Sequence, residues 1–177
     1  MNITVYCGSN FGDNPHFEEA ARNLGAWIAR AGHTLVYGGS SVGLMGAVSR
    51  AAIEGGTLVI GVEPAFFIEA GVAQHDLTEL FVCDTMGERK AKMIELGDAF
   101  IAFPGGTGTL EEIAEVMSAV SLGHLNAPCI LYNLDGYYND LKALLEHMID
   151  KGLSSLQRQQ GIYFADNLQK IASIIDG

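Results

Sequence analysis

Ala99-Phe100-Ile101-Ala102-Phe103-Pro104-Gly105-Gly106-Thr107-Gly108-Thr109-Leu110-Glu111-Glu112 is the stretch that decides the fold. An apolar run, 99–103, stops at a proline and turns through three glycines and two threonines. Apolar residues then recur at helical spacing at Leu110, Ile113, Ala114, Met117 and Val120. That order is a strand, a phosphate-sized loop and a helix start. A helix amino terminus leaves backbone N–H groups unpaired and carries partial positive charge, and glycines let an anion approach the main chain closely.

The same alternation runs outward in both directions. Short apolar runs predict strands near 3–7, 34–37, 58–62, 79–83, 99–103 and 129–132, with a further short run at 161–164. Helical periodicity covers 15–30, 43–54, 86–96, 109–122, 138–150 and 168–175. In the first of these, Phe17, Ala20, Ala21, Leu24 and Ile28 share one stripe that should lie on a sheet. Strands alternating with helices predict an α/β fold: a single Rossmann-like, doubly wound domain over 1–177 with a mainly parallel sheet.

Glycines cluster where strands end. In a doubly wound sheet the loops at the carboxyl ends of the strands share one rim, and ligands bind there where the strand order reverses. Three loops are therefore candidate walls of a site: Gly8-Ser9-Asn10, Gly38-Gly39-Ser40-Ser41-Val42-Gly43, and Pro104 to Thr109. One such loop is explained by tight turns alone. Three together favour a nucleotide site.

Composition restricts the partners. The chain has 177 residues, 49% of them apolar, enough for a sizeable core. A formal charge of −11, with only ten Lys and Arg, argues against extended nucleic-acid contact, which requires many cations on phosphates. No apolar run approaches the roughly 20 residues of a membrane-spanning helix, and the chain enters a strand at once, so no membrane partner and a soluble, unprocessed protein are expected. Cys7, Cys83 and Cys129 lie far apart in apolar runs without metal-ligand spacing, as reduced core residues of a cytoplasmic protein do. The five histidines show no ligand pattern either, so neither a metal nor a cofactor is expected.

With cations scarce, their positions carry information. On a helix over 86–96, Met86, Met93 and Ile94 form a stripe, and Arg89 and Lys90 stand at i+3 and i+4 of it. Snorkelling would explain this pair, but their scarcity and their place just before the proline loop favour ligand contact. Glu111 and Glu112 fall in the first turn of the following helix. Interaction with the helix dipole explains one carboxylate. A second beside an anion loop must address another part of the ligand, and Glu112 is placed to do so. Gly39-Ser40-Ser41-Val42-Gly43 matches the G-x-S-x-G of a nucleophile elbow, but none of His75, His124 or His147 has a context that marks it as a partner. No G-x-x-x-x-G-K-[ST] is present, and Gly106-Thr107-Gly108 lacks the third glycine of a dinucleotide fingerprint. Monophosphate binding is the simpler inference.

At these residues the chain resembles the Lonely Guy family of cytokinin riboside 5′-monophosphate phosphoribohydrolases. The family signature P-G-G-x-G-T-x-x-E matches Pro104, Gly105, Gly106, Gly108, Thr109 and Glu112, and M-H-x-R-K aligns with Met86, Gly87, Glu88, Arg89 and Lys90. Gly87 stands where the motif has histidine, and Ser40 replaces a third glycine. Likeness extends through Tyr6-Cys7-Gly8-Ser9, Leu35 to Gly39, Gly43 to Gly46, and Gly61-Val62. The resemblance implies hydrolysis of the N-glycosidic bond of adenine-type nucleoside 5′-monophosphates, AMP or N6-substituted, to free base and ribose 5-phosphate. It assigns Arg89 and Glu112 as catalytic. Phosphate and substrate binding fall on Gly8, Ser9, Gly39, Ser40, Lys90, Gly105, Gly106, Thr107, Gly108, Thr109, Glu111 and Ser118. It also implies a homodimer whose interface takes the helix around Met117, Ser118 and Leu122. Arg89 is then expected to hold sugar oxygens and to keep Glu112 ionised. A non-catalytic nucleotide carrier on the same fold is the alternative. The lysine decarboxylase label given to relatives requires pyridoxal phosphate on a lysine, and neither Lys90 nor Lys92 has a context for it.

Overall fold

In the first strand, β1 (Asn2–Tyr6), Ile3 and Val5 pack on one side of the sheet and Thr4 and Tyr6 face the other, and all four are buried. A strand buried on both faces belongs in the middle of a covered parallel sheet. The computed structural model, which describes residues 1–177, places it there. The remaining strands are β2 (Thr34–Tyr37), β3 (Val59–Pro64), β4 (Glu79–Cys83), β5 (Ala99–Ala102), β6 (Cys129–Tyr132) and β7 (Ile162–Ala165). They form one sheet in the order β4-β3-β2-β1-β5-β6-β7. Every pairing is parallel, so the sheet is parallel throughout, not mainly so.

Helices cover both faces. The helices α1 (Pro15–Arg30), α2 (Gly43–Glu54) and α7 (Leu168–Asp176) pack Leu24, Ile28, Leu44, Val48 and Ile171 on one side. On the other, α4 (Met86–Leu96), α5 (Thr107–Ser121) and α6 (Asn139–Asp150) supply Met93, Ile113, Val116, Met117 and Leu145. A short α3 (Ala65–Glu69) follows β3 directly. Periodicity does not predict it, because five residues are too few to show a helical period.

Topology fixes where a ligand can sit. The chain builds β1 to β4 outward in one direction, returns through α4, and adds β5 on the opposite side of β1. Strand order therefore reverses between β1 and β5, and the crevice of a doubly wound sheet opens above their carboxyl ends. There Phe103 N–H donates to the Tyr6 carbonyl at 2.8 Å, and Gly8 N–H to that of Pro104 at 3.1 Å. Two of the predicted glycine loops are thus tied together at the reversal. Two boundaries differ from expectation in ways that matter for the site. Helix α5 begins at Thr107, two residues earlier than the spacing predicts, because Gly108 is accommodated in its first turn. Strand β3 continues through Glu63 to Pro64, where an end at 62 is predicted.

Close approach of α1 and α2 depends on Gly25. A Cβ there would lie 2.2 Å from the Val48 carbonyl oxygen. Gly25→Ala should therefore push the helices apart and destabilise the protein by about 1–3 kcal/mol, as overpacking does. Urea unfolding checks this; an unchanged midpoint would contradict it.

Candidate active site

Helix α4 starts with a capping box. The Thr85 hydroxyl accepts from Glu88 N–H at 3.1 Å, and the Glu88 carboxylate accepts from Thr85 N–H at 3.3 Å. This fixes the helix phase so that Arg89 and Met93 turn inward. The guanidinium of Arg89, only 8% exposed, enters where β2 and β3 end. Its Nε donates to the Val62 carbonyl at 3.0 Å, Nη2 to that of Gly38 at 3.2 Å, and Nη1 to Glu112 Oε1 at 2.9 Å. Gly38 has to be glycine, since a Cβ would fall 2.0 Å from Arg89 Nη2. Of the five N–H donors on a guanidinium, two remain for a ligand.

Glu112 reaches this point from the second turn of α5 and is 7% exposed. Burial raises its pKa, and the pull of Arg89 in the opposite direction is the smaller effect. Arg89 is expected to keep Glu112 ionised, and it does pull in that direction, but desolvation is the larger effect and the net shift is upward. A carboxylate with a raised pKa is a better proton acceptor than a solvated one.

The start of α5 has no side-chain cap, a feature it shares with α2, α3 and α6. Side chains of Asn14, Thr85 and Asn167 cap α1, α4 and α7, whereas Gly106 offers α5 none. The uncapped α2 is satisfied instead by the Gly8 carbonyl, which accepts from Leu44 and Met45. In α5 the N–H groups of Thr107, Gly108 and Thr109 donate to no atom of the chain. Gly105 is held to glycine by crowding, since its Cβ would lie 2.2 Å from Thr109 Oγ1. Gly106 and Gly108 have open space around them. Together these features form an anion seat beside a buried arginine–glutamate pair.

A cleft of about 310 Å³ joins them. Gly8, Ser9, Gly106, Thr107, Gly108 and Thr109 form its phosphate-sized end, Arg89 and Glu112 its floor, and Met45, Phe67 and Met86 an apolar wall. A larger hollow of about 890 Å³ at the opposite rim of the sheet, bordered by Met1, Pro128 and Arg158, contains no carboxylate side chain.

Other predicted residues lie elsewhere. Gly39 and Ser40 are not on the cleft wall; the Ser40 hydroxyl donates to the Val72 carbonyl at 3.3 Å and accepts from Val42 N–H at 3.4 Å. That hydroxyl fastens the loop and is turned away from the phosphate end. Lys90 bridges Glu111 at 2.8 Å and Glu115 at 3.0 Å, and these bonds raise its pKa. It clamps α4 to α5 from outside the cleft, with Glu111 as its partner at the rim. Ser118 is exposed on the outer side of α5.

Glu63 is a buried carboxylate near the cleft's strand ends that the sequence does not single out. It is 1% exposed at the end of β3, its Oε2 has no hydrogen-bond partner, and burial pushes its pKa up to about 7 against a pull from Arg89. The available signal is a charged residue within Val59-Ile60-Gly61-Val62-Glu63-Pro64, which an early strand end turns into an ordinary loop residue. Tyr6 enters the sequence reading only through the family resemblance, yet it lines the cleft with a buried, unpartnered hydroxyl.

Residues 45–175 match the family model described as possible lysine decarboxylase. A cytokinin riboside 5′-monophosphate phosphoribohydrolase from Rhodococcoides fascians is 43% identical, with 98% of this chain and 88% of that protein aligned. One from Arabidopsis thaliana is 41% identical over 96% of this chain and 78% of its own length. Among solved structures, the molybdenum cofactor carrier protein of Chlamydomonas reinhardtii superposes with a TM-score of 0.73 at 21% identity, covering 99% of this chain and 98% of that one. The molybdenum cofactor binding protein of Rippkaea orientalis gives 0.71 at 22% identity, covering 99% and 94%. At that identity the two structures establish the shared fold.

The buried charges also govern stability. Arg89→Met leaves Glu112 buried without its cation and should cost about 3–5 kcal/mol near pH 8. Adding Glu112→Leu should recover part of that loss in urea unfolding; a strictly additive double variant would contradict the pairing. For Glu63, the folded pKa lies above the ordinary 4.5, so the protonated form is favoured by folding. Its contribution is full below pH 4.5 and is lost as pH rises through about 7. Glu63→Gln should accordingly gain stability relative to the native chain as pH rises over that window, by roughly 1.4 kcal/mol for each pH step of one. Parallel pH dependences of unfolding would contradict it.

Proposed function

The chain belongs to the family of cytokinin riboside 5′-monophosphate phosphoribohydrolases, and from that premise we propose that it hydrolyses the N-glycosidic bond of adenine-type nucleoside 5′-monophosphates, releasing free base and ribose 5-phosphate. One observation carries the reading: a buried Arg89–Glu112 pair stands beside an uncapped helix amino terminus in one cleft. A carrier needs the anion seat but has no use for a desolvated carboxylate beside it.

In the mechanism we infer, the phosphate oxygens accept from the N–H groups of Thr107, Gly108 and Thr109, and Gly8 and Ser9 close the seat from β1. Phosphate binding supplies remote energy that sets the ribose over the floor of the cleft. As the C1′–N bond breaks, its electron pair leaves with the base and positive charge develops on the sugar. Glu112 stabilises that charge and takes a proton from water, whose oxygen bonds to C1′; the departing base gains the proton. Arg89 fixes Glu112 through Nη1 and presents its two spare N–H donors to sugar oxygens. The base then lies toward Phe67 and Met86, which are 39% and 37% exposed. At Gly87 an added Cβ would meet only Thr85 Oγ1, at 3.9 Å, so the place of the family histidine is open.

We also assign a homodimer, supported by the exposed Ser118 on α5 and the exposed Leu122 directly after it. A cytoplasmic location accords with three free cysteines, and the charge of −11 with a site for mononucleotides in place of nucleic acid. No helix is long and apolar enough to cross a membrane.

Incubation with AMP and with N6-isopentenyl-AMP, followed by chromatography, should yield free base. Tight binding without release would instead establish the carrier. Glu112→Ala should lower kcat by roughly 10²–10⁴-fold while nucleotide still binds. Unchanged turnover would remove Glu112 from the mechanism. The corresponding nucleosides should lose about 100-fold or more in kcat/KM, kcat included, because the phosphate positions the ribose.

A further inference from the structure

Two tyrosines stand behind the phosphate end of the cleft, on the turn between β6 and α6. The buried Tyr138 hydroxyl donates to the Phe103 carbonyl at 2.8 Å, and the Tyr137 hydroxyl to the Gly105 carbonyl at 2.5 Å. They hold the carbonyls of the two residues that flank Pro104, where β5 gives way to the anion loop. Packing as well as hydrogen bonding keeps the rings in place. Tyr137 lies edge-on to Phe17 and to Tyr138, with ring centroids 5.8 and 5.0 Å away. The turn itself is anchored by Asp135, left-handed at φ 51°, whose carboxylate accepts from Asn14 Nδ2 at 3.2 Å and lies 2.8 Å from His16 Nδ1 at the start of α1.

The two ends of the Gly105–Gly106 peptide lead to different spaces. Gly105 borders a separate hollow of about 330 Å³, walled by Phe11, Phe17 and Tyr137, and is not on the wall of the cleft. Gly106 borders both. A trans peptide is planar, and its C=O and N–H point in opposite directions. With the carbonyl held on the Tyr137 side, this peptide turns the Gly106 N–H toward the cleft. That N–H donates to no atom of the chain. It directly precedes the free N–H groups of Thr107, Gly108 and Thr109 and extends their row by one donor. With glycine on both sides, no Cβ resists a flip of this peptide. A flip would aim the Gly105 carbonyl oxygen at the anion and withdraw the donor.

We propose that Tyr137 is a positioning residue of the phosphate seat, acting through the Gly105–Gly106 peptide. Its hydroxyl holds the Gly105 carbonyl away from the anion and so keeps the Gly106 N–H as a further donor to the phosphate. The phosphate then meets donors that are already in place. Tyr137 is not on the cleft wall, so its effect is confined to the phosphorylated end of the ligand. Its hydrogen bond is solvent-exposed, where water can replace the lost partner, so removing the hydroxyl leaves folding stability almost unchanged. The inference rests on the phosphoribohydrolase reading for the identity of the ligand, whereas the hold on the peptide requires only that the seat bind a phosphate.

Tyr137→Phe tests it, because the ring and its packing on Phe17 and Tyr138 stay while the hydroxyl goes. Affinities for ribose 5-phosphate and for adenosine by calorimetry, kcat/KM for AMP, and the urea midpoint are measured on the native chain and the variant. Ribose 5-phosphate affinity and kcat/KM for AMP should each fall by about three- to tenfold, the effect of one hydrogen bond. Adenosine affinity and the urea midpoint should stay as they are. By nuclear magnetic resonance, the Gly106 amide proton should move downfield as ribose 5-phosphate is added to the native chain, and less so in the variant. Equal losses for ribose 5-phosphate and adenosine would mark a structural role and overturn the proposal. Unchanged affinities, or a Gly106 amide in the native chain that does not respond to ribose 5-phosphate, would overturn it as well. Release of adenine from AMP by the native chain would leave the hydrolase reading standing in each of those cases. A selective loss of ribose 5-phosphate affinity in the variant, with no base released from AMP by the native chain, would remove the hydrolase reading and retain Tyr137 as the residue that sets a nucleotide-binding seat.

Discussion

Burial of one guanidinium organises the carboxyl-terminal rim of this sheet. Arg89 leaves water almost completely, which is tolerable only because acceptors surround it: the carbonyls of Val62 and Gly38 and the carboxylate of Glu112. Each partner comes from a different element, β3, the loop after β2, and α5. The arginine therefore joins three segments that are remote in sequence. Its requirements reach outward as well. Gly38 cannot carry a side chain, α4 must start at a fixed phase, and Glu112 must face inward from a helix whose first turn is left open.

That open turn gives α5 two functions separated by less than two turns of helix. Its first N–H groups offer partial positive charge to an anion, and its fifth position beyond Thr107 delivers a desolvated carboxylate. A ribose 5-phosphate has its own two chemically distinct ends, an anionic phosphate and an anomeric carbon that becomes cationic on bond cleavage. The order of groups along the helix corresponds to the order along the substrate. Strand reversal between β1 and β5 exposes this arrangement to solvent on one side, where the apolar wall from Met45, Phe67 and Met86 can receive a base.

Much of this is legible in the chain. The fold class and the pairing of Arg89 with the proline loop rest on periodicity and on the scarcity of cations, signals that survive without coordinates. The loop glycines are legible only in part, because a glycine required by a guanidinium looks the same in sequence as one required by a phosphate. Gly38 belongs to the first kind and Gly105 to packing against Thr109. Lys90 resembles a ligand contact because three-dimensional neighbours decide where a flexible cation ends, and here Glu111 and Glu115 hold it. Glu63 is hidden for the opposite reason: a carboxylate near a proline reads as the end of a strand, and only tertiary burial reveals its cost.

The proposed hydrolysis requires one arrangement, phosphate on the first turn of α5 and the anomeric carbon at Glu112. A crystal structure of Glu112→Gln with AMP bound measures it directly. The phosphate oxygens should accept from the N–H groups of Thr107, Gly108 and Thr109, with C1′ against the side chain at position 112 and the base toward Phe67 and Met86. A phosphate seated elsewhere, or a base rather than a ribose facing position 112, would contradict that arrangement.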